Sequence, residues 1–268
     1  MNFALSFLAA ILYPLTLTTL SAEFHFTNPE DWKSIFNELE VEGTIVIADE
    51  RKEKPVLLAH NSKRAGTRFS PASTFKLPHT LFALDAGIVR DEFQTFTWDE
   101  IERFSSHWNK DQNLRSSIQH SVVWVFEGFA EELGEKREHD YLSKINYGNS
   151  QPTGKKPFWI NGDLKISATE QITFLQNLYH NKLPFDPKHL KLLKDLMILE
   201  SETNWILRGK TGWNGKLAWW VGWLETPSGT VFFATNLDTP KGKRDLAKRE
   251  QVTRAILRSI KALPKTHE

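Results

Sequence analysis

"SPASTFKLPH" spans Ser70 to His79, and its reading decides the fold. Ser73 stands three residues before Lys76, inside a stretch that turns apolar. Pro71 suits a first helical position and Ser70 the cap before it. On that placement Ser73 lies in the first turn, with its backbone amide unpaired at the positive end of the helix dipole. Lys76 then lies on the same face one turn on. Pro78 cannot donate to the carbonyl of Thr74, so a distortion is expected near the helix start. A Ser-x-x-Lys match arises by chance roughly once in a chain of this size. The rest of the sequence has to decide whether it is a nucleophile with its base or a helix start with a surface lysine.

Around this stretch the pattern changes twice. "GTIVIADE" (43–50) and "PVLLAH" (55–60) flank the charged "RKEK" and predict a hairpin. From Ser70 to about Phe174 helical spacing dominates. Val122, Val125, Phe126 and Phe129 share one helix face, and Gly134 interrupts it. Ser167 and Glu170 predict a capping box, with Asn181 and Pro184 closing the helix that follows. The last third returns to strands: "NWILRGKTG", "KLAWWVGWLE", a turn at "TPSG", then "TVFFATNLD". In the middle strand Leu217, Trp219, Val221 and Trp223 share one face, while Ala218, Trp220, Gly222 and Leu224 share the other. Both faces are apolar, so both must be covered. Leu246, Val252, Ile256 and Ile260 predict a final amphipathic helix that supplies part of that cover. The expected fold is α/β, more narrowly α+β: an antiparallel sheet flanked by helices, with an inserted helical subdomain.

The first 22 residues carry no charge, and their apolar run, Phe3 to Tyr13, is too short to span a bilayer. With Ser21 and Ala22 following, residues 1–22 read as a secretory signal peptide. The expected domains are that leader and a single catalytic domain over 23–268. Its sheet part lies at about 23–69 and 180–268, its helical part at about 70–179. The net charge of +1 argues against nucleic acid or a membrane surface as partner. The absence of cysteine excludes disulfides, thiolate metal sites and cysteine nucleophiles. The nine histidines show no His-x-x-x-His pair, and no metal is expected. His79 and His120 are read as structural or solvent-facing.

Three further motifs follow in order: "SVV" at Ser121–Val123, "YGN" at Tyr147–Asn149 and "KTG" at Lys210–Gly212. A strand-borne Lys-Thr-Gly offers a cation and a hydroxyl to a carboxylate while glycine lets a substrate backbone lie alongside. Chance supplies that tripeptide in only about one chain in fifteen. The Ser-Asp-Asn alternative at the second motif is absent, since Val122 and Val123 follow Ser121 here.

Taken with the flanks "FSPASTFKLPHTLFALD", "KTGW", "WWVGW" and "REQVTRAILRSIKALP", the set resembles the class D serine β-lactamases, or oxacillinases, of the oxacillinase-2-like branch. The resemblance covers nearly the whole chain after the leader. It implies the β-lactamase/transpeptidase fold and hydrolysis of penicillins and oxacillin-type β-lactams through a serine acyl-enzyme. Ser73 matches the nucleophile and Ser121 the serine that passes a proton to the lactam nitrogen. Lys76 matches a lysine carboxylated by carbon dioxide, which serves as general base without any other cofactor. Phe75, Val123 and Trp159 match the lysine pocket, Trp159 as hydrogen-bond donor to the carbamate. Lys210, Thr211, Gly212 and Trp213 match the substrate-carboxylate side, Trp213 supplying an oxyanion amide beside that of Ser73. Arg249 matches the carboxylate-binding arginine, with Arg244, Lys248 and Arg254 as its neighbours on a solvated face. Specificity is expected to depend on Trp108, Ile118 and the segment after Trp213. The partners implied are small-molecule β-lactams, with no nucleic acid and no membrane after leader removal; a homodimer is left open. The implied location is the periplasm.

The lysine chemistry also stands without the resemblance. An ordinary lysine, with pKa about 10.4, is a poor base at neutral pH. Apolar burial favours its neutral form, which adds carbon dioxide to give a base one turn from the serine. Two other readings share Ser-x-x-Lys and Lys-Thr-Gly. One is a cell-wall transpeptidase or carboxypeptidase, usually with Ser-x-Asn in the middle. The other is a β-lactam sensor that stays acylated. Repeated turnover of a chromogenic cephalosporin separates a hydrolase from a single stoichiometric burst.

Overall fold

The computed structural model describes residues 29–264, so the expected leader lies outside the described residues. The helices are α1 (Glu30–Glu38), α2 (Ser62–Ala65), α3 (Lys76–Asp85), α4 (Leu114–Gln119), α5 (Val123–Lys144), α6 (Phe158–Asn161), α7 (Ala168–Tyr179), α8 (Pro187–Leu196) and α9 (Lys248–Ser259). The strands are β1 (Gly43–Asp49), β2 (Val56–His60), β3 (Ile198–Glu202), β4 (Trp205–Trp213), β5 (Leu217–Thr226) and β6 (Gly229–Asp238). They form one antiparallel sheet in the order β2-β1-β6-β5-β4-β3. No helix among the described residues is long and apolar enough to cross a membrane.

The two-faced pattern of β5 sets the layering. Trp219, Val221 and Trp223 join the core shared with α3, α5, α7 and α8. Trp220 and Leu224 join a second core with Trp32 and Phe36 of α1 and Val252, Ile256 and Leu257 of α9. Each side chain of β5 from Leu217 to Leu224 is buried, as a strand between two layers requires. α7 packs on β1, β5 and β6, while α8 packs on α3. The hairpin, the capping box of Ser167 with Glu170 and the break in α5 at Gly134 (φ 71°) are found where the sequence places them.

The start of α3 differs from expectation. Ser70 caps nothing: its Oγ donates toward the carbonyls of Trp159 (2.8 Å) and Ile160 (3.0 Å). A 3-10 turn over Ala72–Phe75 comes first, with Ala72 at φ 48°, and α3 begins only at Lys76. This places Pro78 in the first turn of α3, where its missing N–H costs no intrahelical bond. The expected distortion is therefore the 3-10 turn itself, and Ser73 sits within it.

Candidate active site

Four chain segments converge on Ser73. The 3-10 turn carries it, and Lys76 at the head of α3 is fully buried, its Nζ donating to Ser73 Oγ at 3.1 Å. The α4–α5 junction brings Ser121, held at φ 54°. β4 brings Lys210, whose Nζ donates to Ser121 Oγ and to the carbonyl of Thr211 (3.0 Å). α9 brings Arg249, whose Nη1 donates to the carbonyl of Gly212 at 3.3 Å.

β4 presses directly on the 3-10 turn. A Cβ on Gly212 would stand 3.0 Å from the carbonyl oxygen of Pro71 and 3.2 Å from the backbone nitrogen of Ser73. Glycine is needed here for close approach of backbone to backbone. From the other side Trp219 Nε1 donates to the carbonyl of Ser70 at 2.9 Å, so the sheet grips the turn twice.

The electrostatics are one-sided. Lys76, Lys210 and Arg249 bond only neutral oxygens among the described residues. Burial lowers the Lys76 pKa to about 7. Burial, then the charges of Lys76 and Arg249, push Lys210 well below the ordinary lysine range. Burial also lowers Arg249. Three basic groups whose hydrogen bonds reach no carboxylate make a site that an anion completes.

Behind Lys76 lies an apolar wall. Its Nζ stands 5.1 Å from the centroid of the Phe126 ring. Phe75 is fully buried, 5.6 Å from the ring of Trp159. Trp159 is 1% exposed, and its Nε1 has no hydrogen-bond partner. A buried indole N–H without an acceptor is costly, so it marks a place where an acceptor belongs. The segment bearing Trp159 is buttressed by the "YGN" turn. Asn149 accepts from the Lys165 amide (2.9 Å) and donates to the Asp163 carbonyl (2.7 Å). Gly148 between them takes φ 56°.

A cleft of about 530 Å³ opens over Ser73 and is lined by Ser121, Val123, Thr211, Gly212, Trp213 and Arg249, among others. Trp108 also lines it, but Ile118 does not: it is 2% exposed in the core. Of the neighbours of Arg249, Lys248 pairs with Asp245, Arg254 bonds Glu200, and Arg244 is exposed.

The comparisons with known proteins agree. The sequence matches the penicillin binding protein transpeptidase domain over residues 43–258. β-Lactamase OXA-3 of Pseudomonas aeruginosa is 57% identical over 235 residues, 87% of this chain and 86% of its own. β-Lactamase OXA-48 of Klebsiella pneumoniae is 40% identical over 240 residues, 88% and 89% of the two chains. The crystal structure of FUS-1 (OXA-85), a class D β-lactamase from Fusobacterium nucleatum, superposes with a TM-score of 0.84 at 38% identity, covering 89% of this chain and 100% of its own. The class D β-lactamase YbXI from Nostoc gives 0.82 at 37% identity, over 87% and 99%. The chain belongs to the class D β-lactamases.

Class D β-lactamases need no metal or cofactor. Three features of this class D site were missed from the sequence. Phe126 is the ring under Lys76 Nζ, although its helical spacing marked it only as core. Gln171 Nε2 donates to Thr74 Oγ1 at 2.9 Å, tying α7 to the turn that carries Ser73. His120 lines the cleft, whereas His79 is fully buried with its ring against Phe75. Only the Ser-x-Val motif, one residue on, pointed toward His120.

Proposed function

We propose that this chain hydrolyses penicillins and oxacillin-type β-lactams through an acyl-enzyme on Ser73, and so confers resistance to them. The observation that carries the reading is Lys76: fully buried, with its pKa lowered to about 7, and 3.1 Å from Ser73 Oγ. The Ser73 proton leaves toward Lys76 Nζ as Oγ bonds the lactam carbonyl carbon. The backbone amides of Ser73 and Trp213 receive the oxyanion. As the C–N bond breaks, Ser121 Oγ gives its proton to the lactam nitrogen, and Lys210 Nζ, which already donates to Ser121, replaces it. Lys210, Thr211 and Arg249 hold the substrate carboxylate. The proton taken by Lys76 returns to Lys210; Lys76 then takes a proton from water as the hydroxyl bonds the ester carbon, and gives it to Ser73 Oγ as the ester bond breaks.

The residues around Lys76 fit a carbamate on Nζ. Trp159 Nε1 is a buried donor without an acceptor, Phe75 and Phe126 supply the walls, and Val123 lines the cleft in front. When bound, carbon dioxide supplies an anionic general base beside Ser73 Oγ. One catalytic domain over 23–268, divided as the sequence suggests, would follow a leader at 1–22 that directs export to the periplasm.

The test is mass spectrometry after brief exposure to a penicillin, combined with turnover of a chromogenic cephalosporin. An adduct on the Ser73 peptide with many turnovers per molecule is expected. A single stoichiometric burst would reassign the chain to a β-lactam sensor.

A further inference from the structure

His107 and His120 come from different segments, yet their rings stack face to face. The centroids are 4.2 Å apart and the planes differ by 2°. His107 belongs to the 3-10 turn Ser106–Trp108 on the loop at the cleft mouth. His120 immediately precedes Ser121, whose left-handed backbone (φ 54°) aims Oγ at Lys210. Around the stack, Trp108 Nε1 donates to the His120 carbonyl at 2.9 Å. Trp124 Nε1 donates to the Trp108 carbonyl at 3.0 Å. Gln112 Nε2 donates to the His107 carbonyl at 2.8 Å. The stack is the side-chain contact that completes this tie between the mouth loop and the α4–α5 junction.

We propose that the His107–His120 stack is an acid-sensitive clasp that positions Ser121, making both histidines positioning residues for the reaction proposed above. Two neutral imidazoles attract face to face, whereas two imidazolium rings at this separation repel. The charged group acting on His120 besides His107 is Lys110, on the loop of His107. Asp111, next to Lys110, accepts from the Trp98 amide at 2.8 Å. Among the described histidines, His79, His139 and His180 have a carboxylate partner within 4 Å, but His107 and His120 do not. Burial, His107 and Lys110 all lower the His120 pKa. A base whose pKa is lowered in the stacked state holds that state fully above the free value of about 6.5 and loses it as pH falls toward the stacked value. Acid therefore parts the rings, frees the mouth loop and releases Ser121 from its aim.

The decisive variant is His107→Phe, which keeps a flat ring over His120 and removes one of the two charges. Turnover is measured from pH 5 to 8 in saturating bicarbonate, so the acid limb that Lys76 imposes is common to both proteins. The wild type is expected to fall more steeply than the Lys76 limb alone below about pH 6.5. His107→Phe is expected to match it within about 2-fold at pH 8 and to keep only the shared Lys76 limb, because an imidazolium over a phenyl ring is attracted rather than repelled. His107→Ala, which loses the ring, is expected to lower kcat at every pH with little change in KM. In the acylation-dead Ser73→Ala background, NMR should show the His120 midpoint rising when Phe replaces His107. Identical acid limbs for wild type and His107→Phe, or an unmoved His120 midpoint, would overturn the clasp. Absence of turnover at all pH values would overturn the proposed reaction, leaving the NMR titration to decide the coupling of the two rings by itself.

Discussion

The unpaired indole of Trp159 gives the sharpest prediction. Replacing Trp159 by Phe keeps an aromatic ring against Phe75 but removes Nε1. In the free-lysine form nothing polar is lost, because that N–H has no acceptor. In the carboxylated form the change deletes a donor to an anion in an apolar pocket, a bond worth about 1.5–3 kcal/mol. Carboxylation then weakens by about 10- to 150-fold. The smaller ring leaves a void whose cost of about 1–3 kcal/mol falls on both forms and so cancels from the binding comparison. The assay is initial rate against bicarbonate concentration, in degassed buffer near pH 7.5, for wild type and Trp159→Phe. The half-saturating bicarbonate should rise by the stated factor, with the rate largely recovered at high bicarbonate. A variant that is slower at every concentration, with an unchanged half-saturation point, would refute the reasoning.

Three further outcomes follow from the same geometry. Lys76→Met should abolish turnover yet raise the melting temperature at pH 7 in bicarbonate-free buffer, because a lysine held at about 7 rather than 10.5 destabilises the fold by a few kcal/mol. That penalty is complete below pH 7 and vanishes above about 10.5, so the gap between variant and wild type should close with rising pH. Gly212→Ala should cut kcat/KM about 10- to 100-fold, since its Cβ would crowd Ser73 N and Pro71 O and displace an oxyanion amide; an unchanged value would remove Gly212 from the account. Arg249→Ala should raise KM for penicillins about 10-fold or more with a smaller effect on kcat, reflecting a lost charge-assisted contact to the substrate carboxylate; steady-state kinetics reads the split directly.

The layered fold was legible because β5 alternates two apolar sets, and the structure assigns Trp219 and Trp220 to opposite cores. The four motifs were legible because each joins residue types that chemistry needs at one spacing. Other features were set by tertiary contact and left little local trace. Ser-Pro at 70–71 imitates a helix start, but two carbonyls of the Trp159 segment capture the Ser70 hydroxyl and Ala72 turns left-handed. α1, α8 and the exposed edge strand β3 were not anticipated. β3 reads "ILESE", with no alternation toward a core to betray it. The histidine stack joins two residues across an irregular loop and a short helix, with no spacing rule to announce it.

The partition made by β5 also bears on how this enzyme can change. Alternate positions along one strand answer to different demands: Trp219 steadies the turn that bears Ser73, while Trp220 rests under α9. Tolerance gained on the α1–α9 side, through tighter packing there, is available to offset costly innovations around the cleft without touching its geometry. Adaptation to new antibiotics thus has a reserve built into the far side of the same sheet.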